Sequence, residues 1–390
     1  MGATREPDTT MHFALSDEQL MIRDTAELFL AQNSASAAVR SAMDSVWGFD
    51  GALWQRIGRE MGWCATAIPV AYGGLGLGLV ELALLLEQMG RRQTCAPFFS
   101  TVAMAATALR ELANATAQAR WLPQIANGSL RATLALSAQG VQWDPRSPGA
   151  RAKRTPAGWQ LDGCFDHVAD GSSAELLLVV AQLAGEGEGD FGLFAVAPGT
   201  PGCCCTPLPT WDATRRLARI GLRGLQLQPS DRLDGGLVAQ SMVRLEALMA
   251  LLLAAEQLGG AQQCLDMTLA HTAARVQFGQ SLSSFQAVKH RCADMMVRVE
   301  ATRSCVYGAA AVADARADAG ALAMEAGAAK SLASDAFFFC AQEAIQLHGG
   351  LGFTWDYDPQ LYFKRAQAGS HWLGSPERWR ERIACALLDS

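Results

Sequence analysis

The sequence predicts a mainly helical protein with a β-domain set between two helical domains. Three observations carry that reading. Apolar residues recur at helical spacing through the first third of the chain. Between Leu130 and Val238 the signals shorten to runs of a strand's length, bounded by Gly, Pro, Asp and Ser. After Val238 the helical period returns and persists to the C-terminus. Length agrees, because 390 residues exceed the roughly 250–300 at which single cores stop growing. The expected division is a disordered 1–10, a helical domain over 11–130, a β-domain over 131–240 and a helical bundle over 241–390.

The first helix has a sharp start. Ser16 is an N-cap with Gln19 three residues on, a capping box, and Leu15 and Leu20 form its hydrophobic staple. Further helical patterns cover Leu53–Met61, Leu79–Met89, Val102–Leu112 and Ala115–Ile125. The strand-like runs are Thr133–Leu136, Gly158–Leu161, Leu176–Ala181, Gly192–Ala197 and Leu217–Leu222, read as a small antiparallel β-domain. Prolines from Pro145 to Pro209 exclude long helices there. Met242–Ala274, Phe285–Val312 and Ala321–Leu347 are long candidate helices, and Pro376 after Ser375 opens a last one to Leu388.

Composition narrows the function classes. Half the residues are hydrophobic and 18% are charged, as in globular chains. A net charge of −6 leaves no basic footprint for nucleic acid or anionic lipid. The apolar run Ala247–Ala255 is too short for a membrane span. The first residues show no apolar stretch typical of a secretory signal, and the 11 cysteines follow no regular spacing. Free thiols and a cytoplasmic location are therefore expected. Cys203-Cys204-Cys205 reads as loop or strand filler, since consecutive side chains do not converge on one tetrahedral metal. The six histidines are scattered, and no HExxH, CxxC pair, GxSxG or Walker loop occurs.

Three stretches invite a chemical reading. Gly73-Gly74-Leu75-Gly76-Leu77-Gly78 approaches a dinucleotide loop, but its last glycine falls one residue early and no parallel-strand pattern flanks it. A turn between helices is the better reading. Arg275-Val276-Gln277-Phe278-Gly279-Gln280 places an arginine and amides at a helix–turn–helix junction, where a guanidinium fork can grip a pyrophosphate. Gln346-Leu347-His348-Gly349-Gly350 either caps a helix or lets backbone N–H groups approach a phosphate or ribose.

With the domain order, these stretches resemble the acyl-CoA dehydrogenase family along nearly the whole chain. The matching residues are Phe13-Ala-Leu-Ser-Asp-Glu-Gln19, Pro69-Val-Ala-Tyr-Gly-Gly-Leu-Gly76, Asp212-Ala-Thr-Arg-Arg-Leu217 and the segments at Arg275 and Gln346. The resemblance implies an N-terminal α-domain, a middle β-domain and a C-terminal four-helix bundle, with FAD held between subunits. One subunit's β-domain contacts the flavin ring; its neighbour holds the pyrophosphate and adenosine. Arg275, Phe278, Gln286, Gln346, Gly349 and Gly350 match that second set completely. The ring-contacting segments do not match: Leu136–Asp144 and Gly163–Asp170 stand in their places.

The resemblance also implies a catalytic Glu in one of two positions, and this chain has Leu373 and Met249 there. Glu246 and Glu256 flank Met249, ~4.5 and ~10.5 Å along the helix axis, so Glu246 is a candidate displaced base. A salt-bridged or solvated helix carboxylate is the alternative. A complete tail-binding set without a base is similar to one subunit of the α2β2 dehydrogenases of bacterial steroid side-chain degradation. That likeness implies a base-bearing paralogous partner, a bulky acyl-CoA substrate and an electron-transfer flavoprotein or similar acceptor. The other readings are a self-sufficient homo-oligomer using Glu246, and a non-redox scaffold paralogue.

Overall fold

A computed structural model describes residues 15–136, 147–185, 191–236 and 239–388. The expectation of disorder over 1–10 and the reading of 137–144 lie outside the described residues.

The N-terminal part contains α1 (Asp17–Asn33), α2 (Ser36–Asp44), α3 (Gly51–Gln55), α4 (Leu79–Arg92), α5 (Thr107–Leu112) and α6 (Ala115–Ala126). The capping box forms: Gln19 N donates to Ser16 Oγ at 3.2 Å and Ser16 N to Gln19 Oε1 at 3.0 Å. Two expected helices contain wider turns. π-Helix extends α3 over Arg56–Glu60 and precedes α5 over Phe99–Ala106. The glycine-rich stretch is the expected turn. Leu75, Gly76 and Leu77 donate their N–H groups to Ala65, Ile68 and Thr66 carbonyls, so those groups are spent inside the protein and not turned to a phosphate.

The middle part holds β1 (Ala132–Ala135), β2 (Ala150–Thr155), β3 (Gly158–Ala169), β4 (Leu176–Leu183), β5 (Phe191–Val196), β6 (Cys203–Leu208) and β7 (Leu217–Leu227). The strand order is β1-β4-β2-β3-β7-β6, with β5 off this path and paired along β4 from Leu177 to Gln182. The sheet is mixed, which corrects the antiparallel expectation: β1 and β2 both run parallel to β4. A tight turn joins β2 to β3 and forces antiparallel pairing, whereas the parallel partners of β4 are strands that do not adjoin it in the chain. β2 escapes sequence reading because Arg151 and Lys153 alternate with buried alanines. β6 is the cysteine run, with Cys203 and Cys205 packed toward the core and Cys204 exposed.

The C-terminal part is α7 (Ala239–Ala274), a hairpin of β8 (Val276–Gln277) and β9 (Gln280–Ser281), α8 (Gln286–Asp314), α9 (Ala319–His348), α10 (Pro359–His371) and α11 (Pro376–Leu388). Of these, the periodicity did not give α10. Helix α7 is buried on every side from Leu245 to Ala261, as its uninterrupted apolar run requires. It crosses α4 at backbone contact. A Cβ on Gly90 would meet Glu256 O at 1.9 Å, and one on Gly259 would meet Glu87 O at 1.8 Å. Glu87 in turn accepts from Tyr307 Oη at 2.6 Å and pairs with Arg303, tying α4 to α8. Among the described residues, no helix is long and apolar enough to cross a membrane.

Candidate functional site: an open helix end and a closed cleft

Two places carry the residues that the sequence singles out. The first is the shared end of α7 and α9. His271 and His348 stack there, ring centroids 4.1 Å apart. Burial lowers the proton affinity of both imidazoles, and Nδ1–H of His348 donates to Ala344 O at 2.7 Å. Two neutral rings can stack where two cations would repel. Their contact brings the Arg275 hairpin beside the Gln346–Gly350 segment.

The hairpin is a two-residue turn. Gln277 pairs with Gln280, and Phe278 and Gly279 between them have φ of 54° and 79°. Both positive angles match the primed turn that suits strand twist; glycine takes the second position without strain. The turn pushes Phe278 outward, where it is 91% exposed. Arg275, Gln286, Gln346, Gly349 and Gly350 are also exposed. Space is open around the missing Cβ atoms of Gly349 and Gly350. Arg275 has no acid within ion-pair distance among the described residues. The surface thus offers an unspent guanidinium, two amides and bare backbone, the donor set that suits a pyrophosphate.

The second place is a cleft of about 550 Å³ between the β-domain and α10, walled by His167, Trp211, Trp372 and His371. Its floor is charged and closed. Arg215 lies over the rings of Phe99 and Trp372, at 4.8 and 4.5 Å from their centroids. Its guanidinium meets Glu256 Oε2 at 2.5 Å, while Arg365 reaches Glu256 Oε1 and Asp212 Oδ2, both at 3.4 Å. Asp212 Oδ1 accepts from Thr214 N at 2.9 Å. Each carboxylate is therefore engaged. Nearby, burial raises the Asp170 carboxyl to about 6, although Ser100 Oγ donates to it at 2.6 Å.

Neither base position carries an acceptor. Met249 and Leu373 are both fully buried. Leu373 nevertheless keeps φ at 57°, uncommon for a bulky residue. Three side chains hold its loop and the helix ends that flank it. Trp379 Nε1 donates to Leu373 O at 3.0 Å, and Ser331 Oγ to Pro376 O at 3.2 Å. The buried Lys330 Nζ bonds Gly369 O at 3.3 Å and Ser370 O at 3.1 Å. Glu246 stands elsewhere: 1% exposed, it pairs with Arg382 of α11 at 2.7 Å and lines neither this cleft nor the hairpin surface. Glu256, which the seven-residue spacing already puts on Met249's face, is ion-paired with Arg215 and Arg365. Its arginine partners, brought from β7's approach and α10, could not be read from spacing. No group of three or more metal-ligating side chains occurs among the described residues.

A helical domain, a central mixed sheet and a C-terminal helical bundle, in that chain order, form the architecture of a flavin-dependent dehydrogenase. The models of the acyl-CoA dehydrogenase N-terminal and C-terminal domains match residues 16–129 and 236–388. The chain belongs to the acyl-CoA dehydrogenase family, whose members are oxidoreductases acting on acyl-CoA with FAD. Acyl-CoA dehydrogenase IpdE2 of Mycobacterium tuberculosis is 34% identical over 96% of this chain and 98% of its own length. IpdE2 of Mycolicibacterium smegmatis is 31% identical over 96% of this chain and 100% of its own. Among solved structures, the ChsE4-ChsE5 complex from M. tuberculosis superposes with a TM-score of 0.88 at 25% identity, covering 97% of this chain and 100% of that one. The Tcur3481-Tcur3483 steroid acyl-CoA dehydrogenase variant does so with 0.85 at 29%, covering 96% and 98%.

Proposed function

We propose that this chain is the tail-binding subunit of a heteromeric, FAD-dependent acyl-CoA dehydrogenase. The observation that carries the reading is the contrast between the two places: the residues matched to the tail set are all exposed, while both base positions are buried apolar residues. Arg275, Gln286, Gln346 and the Gly349-Gly350 backbone would hold the pyrophosphate and adenosine of a flavin whose ring lies in the partner. Phe278 would pack across the joint. When bound, FAD supplies the hydride acceptor; the partner supplies the carboxylate that removes the α-proton. The two-component solved relatives support a paralogous partner. The steroid acyl-CoA dehydrogenase among them supports a bulky, steroid-derived acyl group. An electron-transfer flavoprotein is the natural acceptor. A cytoplasmic location suits the 11 unpaired cysteines.

Purifying the chain alone and with a paralogue that has Glu at either base position tests this. The expected result is FAD and activity in the pair, with little FAD in the single chain. A homo-oligomer holding one FAD per chain and dehydrogenating acyl-CoA would overturn it. Glu246→Gln in the assembled pair separates the displaced-base reading. It should leave the rate within a few-fold, since a true base contributes about 10²–10⁴-fold.

A further inference from the structure

A second cavity of about 790 Å³ lies away from both places, where the start of α4 meets the ends of α5 and α8 and the first turns of α7. It shares no lining residue with the β-domain cleft. Three arginines and three acids line it: Arg110, Arg244, Arg316, Glu81, Glu111 and Asp314. The acids are committed. Glu111 Oε2 accepts from Arg244 Nε at 3.0 Å, and Arg244 Nη1 also donates to Ala317 O at 3.1 Å. Asp314 accepts from Leu79 N at 2.7 Å and Val80 N at 3.1 Å, capping α4. Glu81 accepts from Gly78 N at 2.7 Å and Gln19 Nε2 at 2.8 Å. Two of those carboxylates thus sit against the positive end of a helix, which offsets their charge.

What remains is Arg110 and Arg316, neither with a hydrogen-bond acceptor or acid within ion-pair distance among the described residues. Arg110 is half-buried. Burial disfavours its charge; Glu111 and Asp314, already bonded elsewhere, offset part of that from a distance, and Arg244 and Arg316 add repulsion. A partly desolvated guanidinium without an acceptor is costly, and an incoming oxyanion would relieve that cost. The glycine-rich turn forms one wall, but its N–H groups are engaged internally, so the arginines must make the contact. Leu77, Leu79 and Leu248 complete the walls. They favour a ligand with an apolar body.

We propose that this cavity binds a small organic oxyanion, a carboxylate or a phosphate ester with an apolar body, through Arg110 and Arg316. The proposal does not depend on the heteromer reading. Calorimetric titration of the purified chain with octanoate and with octyl phosphate tests it, and the tighter probe identifies the head group. Saturable binding is expected, weakened roughly 10–100-fold in Arg110→Gln and less in Arg316→Gln. The exposed control Arg59→Gln should bind as the natural chain does. Should Arg110→Gln not fold, Arg316→Gln and Arg110→Lys still report on the site. Absence of saturation with both probes up to about 10 mM, or equal affinity in the arginine variants, would overturn the proposal.

Discussion

The end of α7 and α9 and the cleft beside α10 are built from similar residue types and behave in opposite ways. At the helix end, Arg275 is exposed and unspent, the glycines face open space, and Phe278 is 91% exposed. In the cleft, the side chains of Arg215 and Arg365 are largely enclosed and share Glu256, and Arg365 also reaches Asp212. Arginine left free at a surface is available to a ligand; arginine locked into a buried network holds the fold. The difference teaches that residue identity in a motif does not decide function. Whether the charge is already neutralised does.

The largest expected effect attacks the closed region. Arg215→Ala strips one guanidinium from a buried network and should destabilise the chain by about 3–5 kcal/mol in chemical denaturation. A loss under about 1 kcal/mol would mean that the charges are solvated and free for ligand, which breaks the contrast.

Lys330→Met sharpens it through pH. Lys330 holds the loop that carries Leu373, and burial pushes its ammonium down to about 7. Between that value and the ordinary lysine value near 10.4, the folded chain carries a neutral amine while the unfolded chain binds the proton. Wild-type stability therefore gains a rising component with pH across that window. The variant should lose about 2–3 kcal/mol near pH 9, from carbonyls left without a donor, and should lose that slope. Urea midpoints at pH 7, 8.5 and 10 would show it; parallel pH profiles would remove Lys330 as the loop's clamp.

Arg275→Ala should act on the open region alone. In the assembled enzyme it should weaken FAD retention about 10–150-fold, as a lost charge-assisted contact does, while stability of the free chain moves by under about 0.5 kcal/mol. Unchanged flavin content on dilution would make Arg275 a surface residue. Phe278→Ser gives the smallest effect on the chain itself, near zero in thermal unfolding, since nothing is uncovered that was buried. Its effect should appear in gel filtration as weaker pairing with the partner.

Much of this was legible in the sequence, for physical reasons. Ser16 and Gln19 announce a capping box because both partners lie within one turn. The long helices are readable because periodicity is local. β2 and α10 were not readable: Arg151 and Lys153 hide a strand whose other face is alanine, and α10 follows a glycine-rich break at Gly349–Gly352. The six tail residues were readable only through resemblance, since nothing local says that an exposed Arg275 awaits a phosphate. The Arg215–Glu256–Arg365 network joins residues up to 150 positions apart, from Arg215 to Arg365, and no spacing rule reaches that far. Glu246 shows the remaining limit. Sequence placed it on α7 near Met249 but could not say that Arg382, on the last helix, would hold it.

The outward thrust of Phe278 has a consequence for the life of the chain in a cell. A newly made copy carries a preformed turn with an aromatic ring in water, and Val276 of the same hairpin is 58% exposed. Such a patch is adhesive until it is covered. If the proposed partner is what covers it, copies synthesised in excess over that partner would be retained by chaperones or degraded, because their uncovered surface resembles that of an unfinished fold. Synthesis in matched amounts, and assembly soon after release from the ribosome, would then be conditions of abundance for this protein, set by the geometry of a two-residue turn.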